Sequence, residues 1–171
     1  MGVENEKNWY AACVRMNCER KVAGLIEGLG IETFVPQQTQ LRQWSDRRKK
    51  VSVVVIPLIV FIHATEEEAR LVQCLSQVSR LMSAPGQKKP AVIPDKQMDV
   101  LKFLLYQEEK AVAFSGKIAR KGDKVRIVRG HLAGVEGVVV QVENSESLAI
   151  EISMIGYAMV KIDKEDVEVA T

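Results

Sequence analysis

Apolar residues along the chain recur with two different periods, and the change from one to the other divides the sequence. In the first part, runs at 9–15, 31–35, 51–56 and 58–62 have the length and the β-branched or aromatic content of strands. Segments with helical spacing of apolar residues alternate with these runs. After residue 122, apolar residues alternate with a period of two and no helical spacing returns. The pattern predicts a mixed first part and an all-β second part.

Helices are predicted in three segments of the first part. The first follows Asn17, which suits an N-cap, the second begins with a capping box of Thr65 and Glu68, and the third begins near Asp95. The apolar faces consist of Val22, Leu25, Ile26 and Leu29 in the first helix, Leu71, Val72 and Leu75 in the second, and Met98, Leu101 and either Leu104 or Leu105 in the third. This order of strands and helices predicts an α+β fold in which three helices cover an antiparallel sheet.

The second part contains five short alternating segments, at 125–127, 138–142, 148–152, 160–162 and 167–169. Short strands without any helix predict a small β-barrel. Residues 111–119 are small and unpatterned, so they are predicted to form a linker. The predicted domains are therefore 1–110 and 120–171, joined by that linker.

Three glycines interrupt the first strands of the second part. Gly130 and Gly134 flank a loop in which positive φ is expected, because glycine adopts that region without steric cost. Gly137 lies where the second strand of a small barrel must bend, and such bends favour a residue without Cβ.

Composition and charge exclude several classes of protein. The net charge of +2, with 27% charged and 47% hydrophobic residues, argues against a disordered chain and against a polycation. The longest apolar run, 51–62, is broken by Ser52 and Pro57 and is too short to span a bilayer. The start of the chain has no apolar signal core. A cytoplasmic protein without membrane association is therefore expected.

No residues converge on catalysis or on metal binding. Cys13, Cys18 and Cys74 match no zinc spacing, and His63 and His131 have no Cys, Asp or second His at ligand spacing. The sequence therefore predicts no catalytic residue, no cofactor, no metal site and no enzymatic activity.

A basic segment with one tryptophan, Trp44, and one carboxylate, Asp46, follows the second strand. Its cations are Arg42, Arg47, Arg48, Lys49 and Lys50. One interpretation is a solvated hairpin tip that discourages edge pairing, and the other is a surface that contacts DNA phosphates. Trp44 is either a platform on which an unpaired base stacks or a residue buried over the sheet.

The segment G-D-K-V-R-I-V-R-G-H-L-A-G-V-E-G-V-V, residues 122–139, resembles the KOW motif, which occurs in ribosomal proteins and in the NusG family of transcription elongation factors. The residues that carry the resemblance are Gly122, Asp123, Val125, Arg126, Ile127, Gly130, Gly134 and Gly137. The resemblance implies a small SH3-like five-stranded β-barrel for the second domain.

The first domain resembles the NusG N-terminal domain. With the KOW segment included, the order and spacing of the elements resemble the NusG family over residues 9–169. It is carried by W-Y at 9–10, by Ile56-Pro57, by I-P-D-K at 93–96 and by four residues of the first helix, Glu19, Lys21, Val22 and Ala23. The run I-E-T-F-V-P followed by L-R-Q-W-S-D-R-R-K-K is closer still to the specialised UpxY-type paralogues. Those paralogues are antiterminators of capsular polysaccharide loci.

The resemblance implies a non-enzymatic transcription elongation factor that binds RNA polymerase and promotes antitermination or processivity of a specific polysaccharide biosynthesis operon. In the family, an apolar patch on the sheet binds the clamp helices of the largest polymerase subunit. The positions that match this patch are Cys13, Phe34, Ile56, Ile59, Phe61 and Leu81. The family's Phe-Pro-Gly-Tyr is replaced by Ile56-Pro57-Leu58-Ile59, so the patch lacks two aromatic residues. Plain core packing is the alternative interpretation of each residue.

The resemblance also implies contacts with nucleic acid and with a further protein. Specialised relatives read non-template DNA on a face that carries Arg15, Asn17, Arg20 and Lys21 here, and the basic segment is a second candidate for upstream or non-template DNA. The KOW domain recruits other factors, such as a termination factor or a small-subunit ribosomal protein. Its family surface carries Ile155, Tyr157 and Met159 here, for which barrel core is the alternative.

A monomer is expected, and two other functions are kept as alternatives. One is a general housekeeping NusG. The other is a KOW protein that binds ribosomal RNA, which would predict a stronger positive charge than +2 and would leave the first domain without a role.

Overall fold

The computed structural model describes residues 6–107, 110–118, 122–142 and 144–170, which fold into two compact units. The first unit comprises the described residues of Met1–Gln37 and Ile56–Met98, and the second comprises those of Gln38–Val55 and Asp99–Thr171. The strands are β1 (Asn8–Val14), β2 (Glu32–Phe34), β3 (Gln37–Gln43), β4 (Arg48–Val54), β5 (Ile59–Ala64), β6 (Val78–Leu81), β7 (Val112–Ser115), β8 (Lys124–Ile127), β9 (Glu136–Val142), β10 (Ser145–Ile152), β11 (Gly156–Lys161) and β12 (Val167–Val169). The helices are α1 (Glu19–Glu27), α2 (Glu66–Gln73) and α3 (Asp95–Tyr106), with a 3-10 turn at Lys164–Asp166.

The first unit is built on an antiparallel sheet with the strand order β2-β5-β1-β6. β1 and β5 pair from Asn8 opposite Ala64 to Cys13 opposite Ile59. Alternate residues of a strand point to opposite faces, so one face collects every second apolar side chain. That face forms a core with the buried residues of α1 and α2: Tyr10, Ala12, Val14, Val60, Ile62, Ala64, Val22, Ala23, Ile26, Ala69 and Val72. The predicted antiparallel sheet with helices is confirmed.

The helix starts agree with the sequence in one case and differ in another. The Thr65 hydroxyl accepts a hydrogen bond from the Glu68 N–H at 3.2 Å, and the Thr65 N–H donates to the Glu68 carboxylate at 3.0 Å, so the predicted capping box is confirmed. Asn17 is not the N-cap. It lies one residue before the cap position, Cys18, with a φ of 61°, which Asn tolerates better than most residues.

Two predicted apolar faces are narrower than their spacing suggests. Leu25, Leu29 and Leu71 are exposed, whereas Val22, Ile26 and Val72 are buried. α1 ends at Glu27, so Leu29 lies beyond the helix. The prediction for α3 is confirmed, because Met98 and Leu101 are buried, as are both alternatives for the last position of the stripe, Leu104 and Leu105.

The second unit contains an antiparallel sheet with the order β12-β8-β9-β10-β11-β7. The five predicted strands are present, and the sixth, β7, lies within the segment predicted as a linker. Val112 pairs with Val160 and Ser115 with Tyr157, so residues 112–115 belong to the sheet. Four residues with one buried side chain, Val112, give too short a pattern to predict a strand. The SH3-like closure of this sheet and the predicted domain boundaries stay predictions.

The second unit also contains a two-stranded sheet of β3 and β4, joined at Trp44–Arg47. The sequence predicts the hairpin but not the extent of β3, because Q-Q-T-Q-L-R-Q is almost entirely polar. We call this element the basic hairpin, residues 37–54.

The glycines of the KOW segment have two different roles. Gly130 and Gly134 adopt φ of 82° and 95°, so the prediction of positive φ is confirmed. For Gly137 the structural reason is close packing, because a Cβ there would lie 2.6 Å from the carbonyl oxygen of Ala149 on β10. Any larger residue would push β9 away from its neighbour.

Candidate nucleic-acid and partner-binding surfaces

The tip of the basic hairpin is a fully exposed cationic surface. Every residue from 41 to 50 is exposed, including the five cations Arg42, Arg47, Arg48, Lys49 and Lys50. The backbone N–H of Trp44 donates to the carbonyl oxygen of Arg47 at 2.7 Å and closes the turn. The Trp44 side chain is 54% exposed, so the alternative that it is buried over a sheet is wrong. The structure therefore brings together an exposed indole and a cluster of cations.

Among the described residues, most of these cations have no carboxylate partner. Arg48 Nε donates to Gln43 Oε1 at 3.0 Å, a contact with a neutral group. Arg42, Arg47 and Lys49 make no ion pair with any residue that the structure describes. Unpaired cations along one hairpin create a positive potential that attracts phosphates.

A buried glutamine anchors the base of the basic hairpin. Gln38 is 1% exposed, and its Nε2 donates to the carbonyl oxygens of Gln107 at 2.8 Å and Lys110 at 3.0 Å. Its Oε1 accepts from the Val112 N–H at 2.8 Å. The side chain therefore satisfies backbone groups at the end of α3 and at the start of β7. Sequence reasoning missed Gln38, because a polar residue in a polar run gives no signal of burial.

The second predicted nucleic-acid surface lies where β1 leads into α1. Arg15, Asn17, Arg20 and Lys21 are all exposed there, as expected of residues that meet a ligand. Arg20 Nε donates to Gln37 Oε1 at 2.8 Å, which fixes the direction of its guanidinium. We call these four residues the junction surface.

Two exposed apolar residues, Met16 and Leu58, belong to the same region and were missed from the sequence. Met16 is 72% exposed and lies between Arg15 and Asn17. Leu58 is 41% exposed, and its carbonyl oxygen accepts from the Val14 N–H at 2.9 Å, next to the junction surface. For Leu58, the available sequence signal was a bulky apolar residue at the position where the family has glycine. The junction surface therefore has apolar as well as cationic contacts to offer.

Most of the predicted polymerase-binding patch is buried. Ile56, Ile59, Phe61 and Leu81 are less than one tenth exposed, and Phe61 is 0% exposed. Cys13 and Phe34 are partly buried. A side chain without exposed area cannot contact a partner, so the core alternative describes these four residues in this conformation. Polymerase binding at the patch stays a prediction.

Cys13 and Phe34 have defined neighbours on the sheet. The Cys13 thiol donates to the sulfur of Met82 at 3.2 Å. The ring centroids of Phe34 and Phe61 are 6.2 Å apart. Burial raises the pKa of the Cys13 thiol, although Arg80 beside it acts in the opposite direction. The thiol is therefore neutral at physiological pH and behaves as a small apolar group.

In the KOW segment, the motif residues support the turn between β8 and β9. Arg126 and Glu136 pair across these strands, with Arg126 Nε donating to Glu136 Oε1 at 2.9 Å, and this pairing raises the pKa of Arg126. Val125 and Ile127 are buried and face the core. Gly122 and Asp123 precede β8, and a Cβ on Gly122 would lie 2.7 Å from the Val139 carbonyl oxygen. These residues are explained by the fold.

The predicted partner surface of the second unit lies on and beside β11. Ile155, Tyr157 and Met159 are half-buried, so each offers part of its side chain to solvent. The alternative interpretation, in which these three residues are fully buried in the barrel core, is therefore wrong.

Among the described residues, no group of three or more His, Cys, Asp or Glu side chains is arranged to hold a metal ion. None of the described helices is both long and apolar enough to cross a membrane.

Two family models and several solved structures match this chain. The family model described as transcription termination factor nusG matches residues 7–102, and the KOW motif model matches residues 121–150. The structure is similar to that described as domain interaction in Thermotoga maritima NusG, with 21% identity, coverage of 97% of this chain and 98% of that chain, and a TM-score of 0.52. The likeness to Thermotoga maritima NusG, at this identity, concerns the fold.

The MjSpt4:Spt5 complex in conformation A is more distant, with 16% identity, coverage of 95% of this chain and 98% of that chain, and a TM-score of 0.31. The search of curated protein sequences gives no significant match. Because the first family model covers more than half of the chain, the protein belongs to the NusG family of transcription factors.

Proposed function

We propose that this protein is a non-enzymatic transcription elongation factor that binds RNA polymerase and promotes antitermination or processivity. Membership of the NusG family supports the general role. The observation that carries the proposal is the basic hairpin, which carries five exposed cations and the exposed indole of Trp44. An elongation factor that stays with the polymerase has a nucleic-acid strand within reach throughout transcription.

The basic hairpin suits an extended nucleic-acid strand. A seven-residue strand such as β4 extends over about 20 Å at roughly 3.3 Å per residue, a length that matches several successive phosphates. Arg48, Lys49 and Lys50 follow one another at its start, so cations point to both faces of the hairpin. Trp44 adds a stacking surface, and base stacking on an aromatic side chain contributes about 1–3 kcal/mol per base. We propose non-template or upstream DNA as the ligand.

The junction surface is proposed as a second contact with the elongation complex. Its cations Arg15, Arg20 and Lys21 are exposed to phosphates, and Asn17 presents an amide able to pair with a base edge. Met16 and Leu58 supply apolar area beside them. We propose that the clamp helices of the largest polymerase subunit bind the sheet near Cys13 and Phe34, next to this region. Tighter binding to the closed clamp than to the open clamp is sufficient to reduce pausing.

The finer part of the proposal is a specific target, namely a polysaccharide biosynthesis operon of the kind that UpxY-type proteins regulate. The run I-E-T-F-V-P and the basic hairpin support it, as does the replacement of Phe-Pro-Gly-Tyr by Ile56-Pro57-Leu58-Ile59. The surface of Ile155, Tyr157 and Met159 is proposed to recruit a termination factor or a small-subunit ribosomal protein.

Binding experiments separate this proposal from its alternatives. Core RNA polymerase and purified ribosomal subunits are each immobilised and exposed to the protein at the same ionic strength. The proposal expects retention on polymerase, and it expects the Arg47→Glu/Arg48→Glu variant to bind a polymerase–DNA scaffold more weakly than the wild type. Retention on ribosomal subunits alone, abolished when the hairpin charges are reversed, would instead favour a ribosomal-RNA-binding protein. Readthrough on many unrelated leaders would favour a general NusG.

A further inference from the structure

A cavity of about 350 Å³ opens on the first unit, away from the residues assigned above. It lies between the start of β1, one face of α2 and the segment 88–92. Its volume is at the small end of the range of roughly 300–1,000 Å³ that ligand sites occupy. A cavity of this size accepts one or two side chains and is too small for a helix.

The floor of the cavity is apolar. Tyr10 and Ala69 line it and are 4% and 3% exposed, so both are held firmly by the core. Pro90 and Val92 also line the cavity, and Val92 is 48% exposed although it is a β-branched apolar residue. Apolar area that is left open to water around a concave site favours occupation by an apolar group.

The rim of the cavity is cationic. Arg70, Lys88 and Lys89 line it, against one carboxylate, Glu66. Arg70 and Glu66 are 4.0 Å apart on successive turns of α2, an exposed pair that screens only one of the three cations. Lys88 and Lys89 are exposed and make no ion pair with any residue that the structure describes. An apolar floor below unpaired cations is complementary to an apolar group flanked by negative charge.

We propose that this cavity binds an acidic peptide segment of another protein, with one apolar side chain packed against Pro90 and Val92 and with carboxylates on either side paired to Lys88 and Lys89. Peptide recognition by an apolar pocket with a charged rim follows general rules for interfaces. The side-chain amides of Asn8 and Gln73 also line the cavity and are able to pair with the peptide backbone.

The same observations disfavour a nucleic-acid ligand. Tyr10 has no exposed ring face on which a base could stack, and Glu66 repels phosphates. Burial and the nearby Glu66 raise the pKa of Tyr10, while a hydrogen bond with Asn8 lowers it. The Tyr10 hydroxyl therefore stays protonated at neutral pH.

The experiment uses three labelled pentapeptides and one control oligonucleotide. The peptides are Glu-Glu-Leu-Glu-Glu, Glu-Glu-Ser-Glu-Glu and Lys-Lys-Leu-Lys-Lys, and the oligonucleotide is a short single strand of DNA. Binding to the full chain is measured by fluorescence anisotropy, and the site is located from amide chemical-shift changes in residues 66–73 and 88–92. The variants are Lys88→Glu/Lys89→Glu and Val92→Ser, with Lys96→Glu/Lys117→Glu as the matched double charge reversal outside the cavity.

The proposal expects only the acidic leucine peptide to bind with shifts at the cavity. Its affinity should fall about fivefold or more in Lys88→Glu/Lys89→Glu, fall less in Val92→Ser, and stay unchanged in the control variant. Equal binding of the serine peptide, equal losses in the two charge-reversal variants, or no shift at the cavity would overturn it. Stronger binding of the oligonucleotide at the same residues would also overturn it, in favour of a nucleic-acid site.

Discussion

The carboxylate of Glu19, buried at the start of α1, accepts a hydrogen bond from the backbone N–H of Leu58 at 3.0 Å. Leu58 has a φ of 69°, a left-handed conformation that is uncommon for a residue with a branched side chain. Its carbonyl oxygen accepts from the Val14 N–H, so the turn before β5 is fastened to the end of β1 and to α1. The arrangement holds an exposed leucine beside the junction surface.

Replacing Leu58 by glycine should stabilise the fold. The left-handed conformation costs a non-glycine residue about 1–2 kcal/mol, and the greater freedom of glycine in the unfolded chain offsets roughly half of this. Urea unfolding of Leu58→Gly should therefore give a free energy of unfolding about 0.5–1 kcal/mol above the wild type. Binding to polymerase should weaken, because exposed apolar area is removed. Met16→Ser removes exposed apolar area without changing a strained backbone conformation, so it should leave the free energy of unfolding unchanged. A Leu58→Gly variant less stable than the wild type would show that the left-handed conformation of Leu58 is not strained.

Removing the Glu19 carboxylate should have the opposite effect on stability. Glu19→Ala leaves the Leu58 N–H without its acceptor in a partly buried position, which costs about 1 kcal/mol. Glu19→Gln keeps an acceptor oxygen of the same reach and should retain most of the stability. The comparison of both variants by urea unfolding isolates the hydrogen bond from the change in side-chain volume. Equal stability of Glu19→Ala and the wild type would mean that the turn is held by other contacts.

The buried Gln38 should be the most sensitive residue of the basic hairpin. Gln38→Met keeps the length of the side chain but leaves the carbonyl oxygens of Gln107 and Lys110 and the N–H of Val112 without this partner. We expect a loss of about 2–4 kcal/mol, and faster proteolysis near residue 112. The exposed Gln43→Met is the matched control and should change stability by less than about 0.5 kcal/mol. If Gln38→Met were as stable as this control, Gln38 would not anchor the basic hairpin.

The cysteines should react at different rates. Burial raises the pKa of Cys13 from its ordinary value of 9.0, whereas Cys74 is exposed. Since the thiolate is the nucleophile, iodoacetamide at pH 8 should modify Cys13 at least about tenfold more slowly than Cys74. The folded state favours the neutral Cys13 thiol, so this contribution to stability is complete below the unfolded pKa and is lost as the pH rises through the folded one. Mass spectrometry of peptides after timed quenching measures both rates, and comparable rates would contradict the burial.

The fold was predictable where apolar spacing was long or a cap was present. The α3 stripe and the Thr65 capping box were predicted correctly, because each combines several agreeing signals. β3, β6 and β7 were missed or incomplete, because two have four residues and the third is polar. Leu25 and Leu71 have the right helical spacing but are exposed, since a short helix buries only a narrow face.

The candidate sites were predictable by charge and not by burial. The cations of the basic hairpin and the junction surface are exposed as expected, because charged side chains remain in water unless paired. The apolar patch was not predictable in the same way: the same residues suit a docking surface and a core, and only the folded structure distinguishes them. Phe61, with no exposed area, is the clearest case. Gln38 and Glu19 are polar and buried, and nothing in the sequence predicted the burial of either residue.

The most direct test of the central claim is a single-round transcription assay with RNA polymerase on a template that carries a polysaccharide-operon leader and a terminator. The account predicts that the protein increases readthrough of the terminator. Arg47→Glu/Arg48→Glu should abolish this increase. The same variant should reduce the slope of log affinity for DNA against log salt concentration by about one unit for each phosphate that is no longer neutralised. The control variant, Lys96→Glu/Lys117→Glu, should behave as the wild type. Unchanged readthrough with the wild-type protein, or equal activity of the two charge-reversal variants, would contradict it.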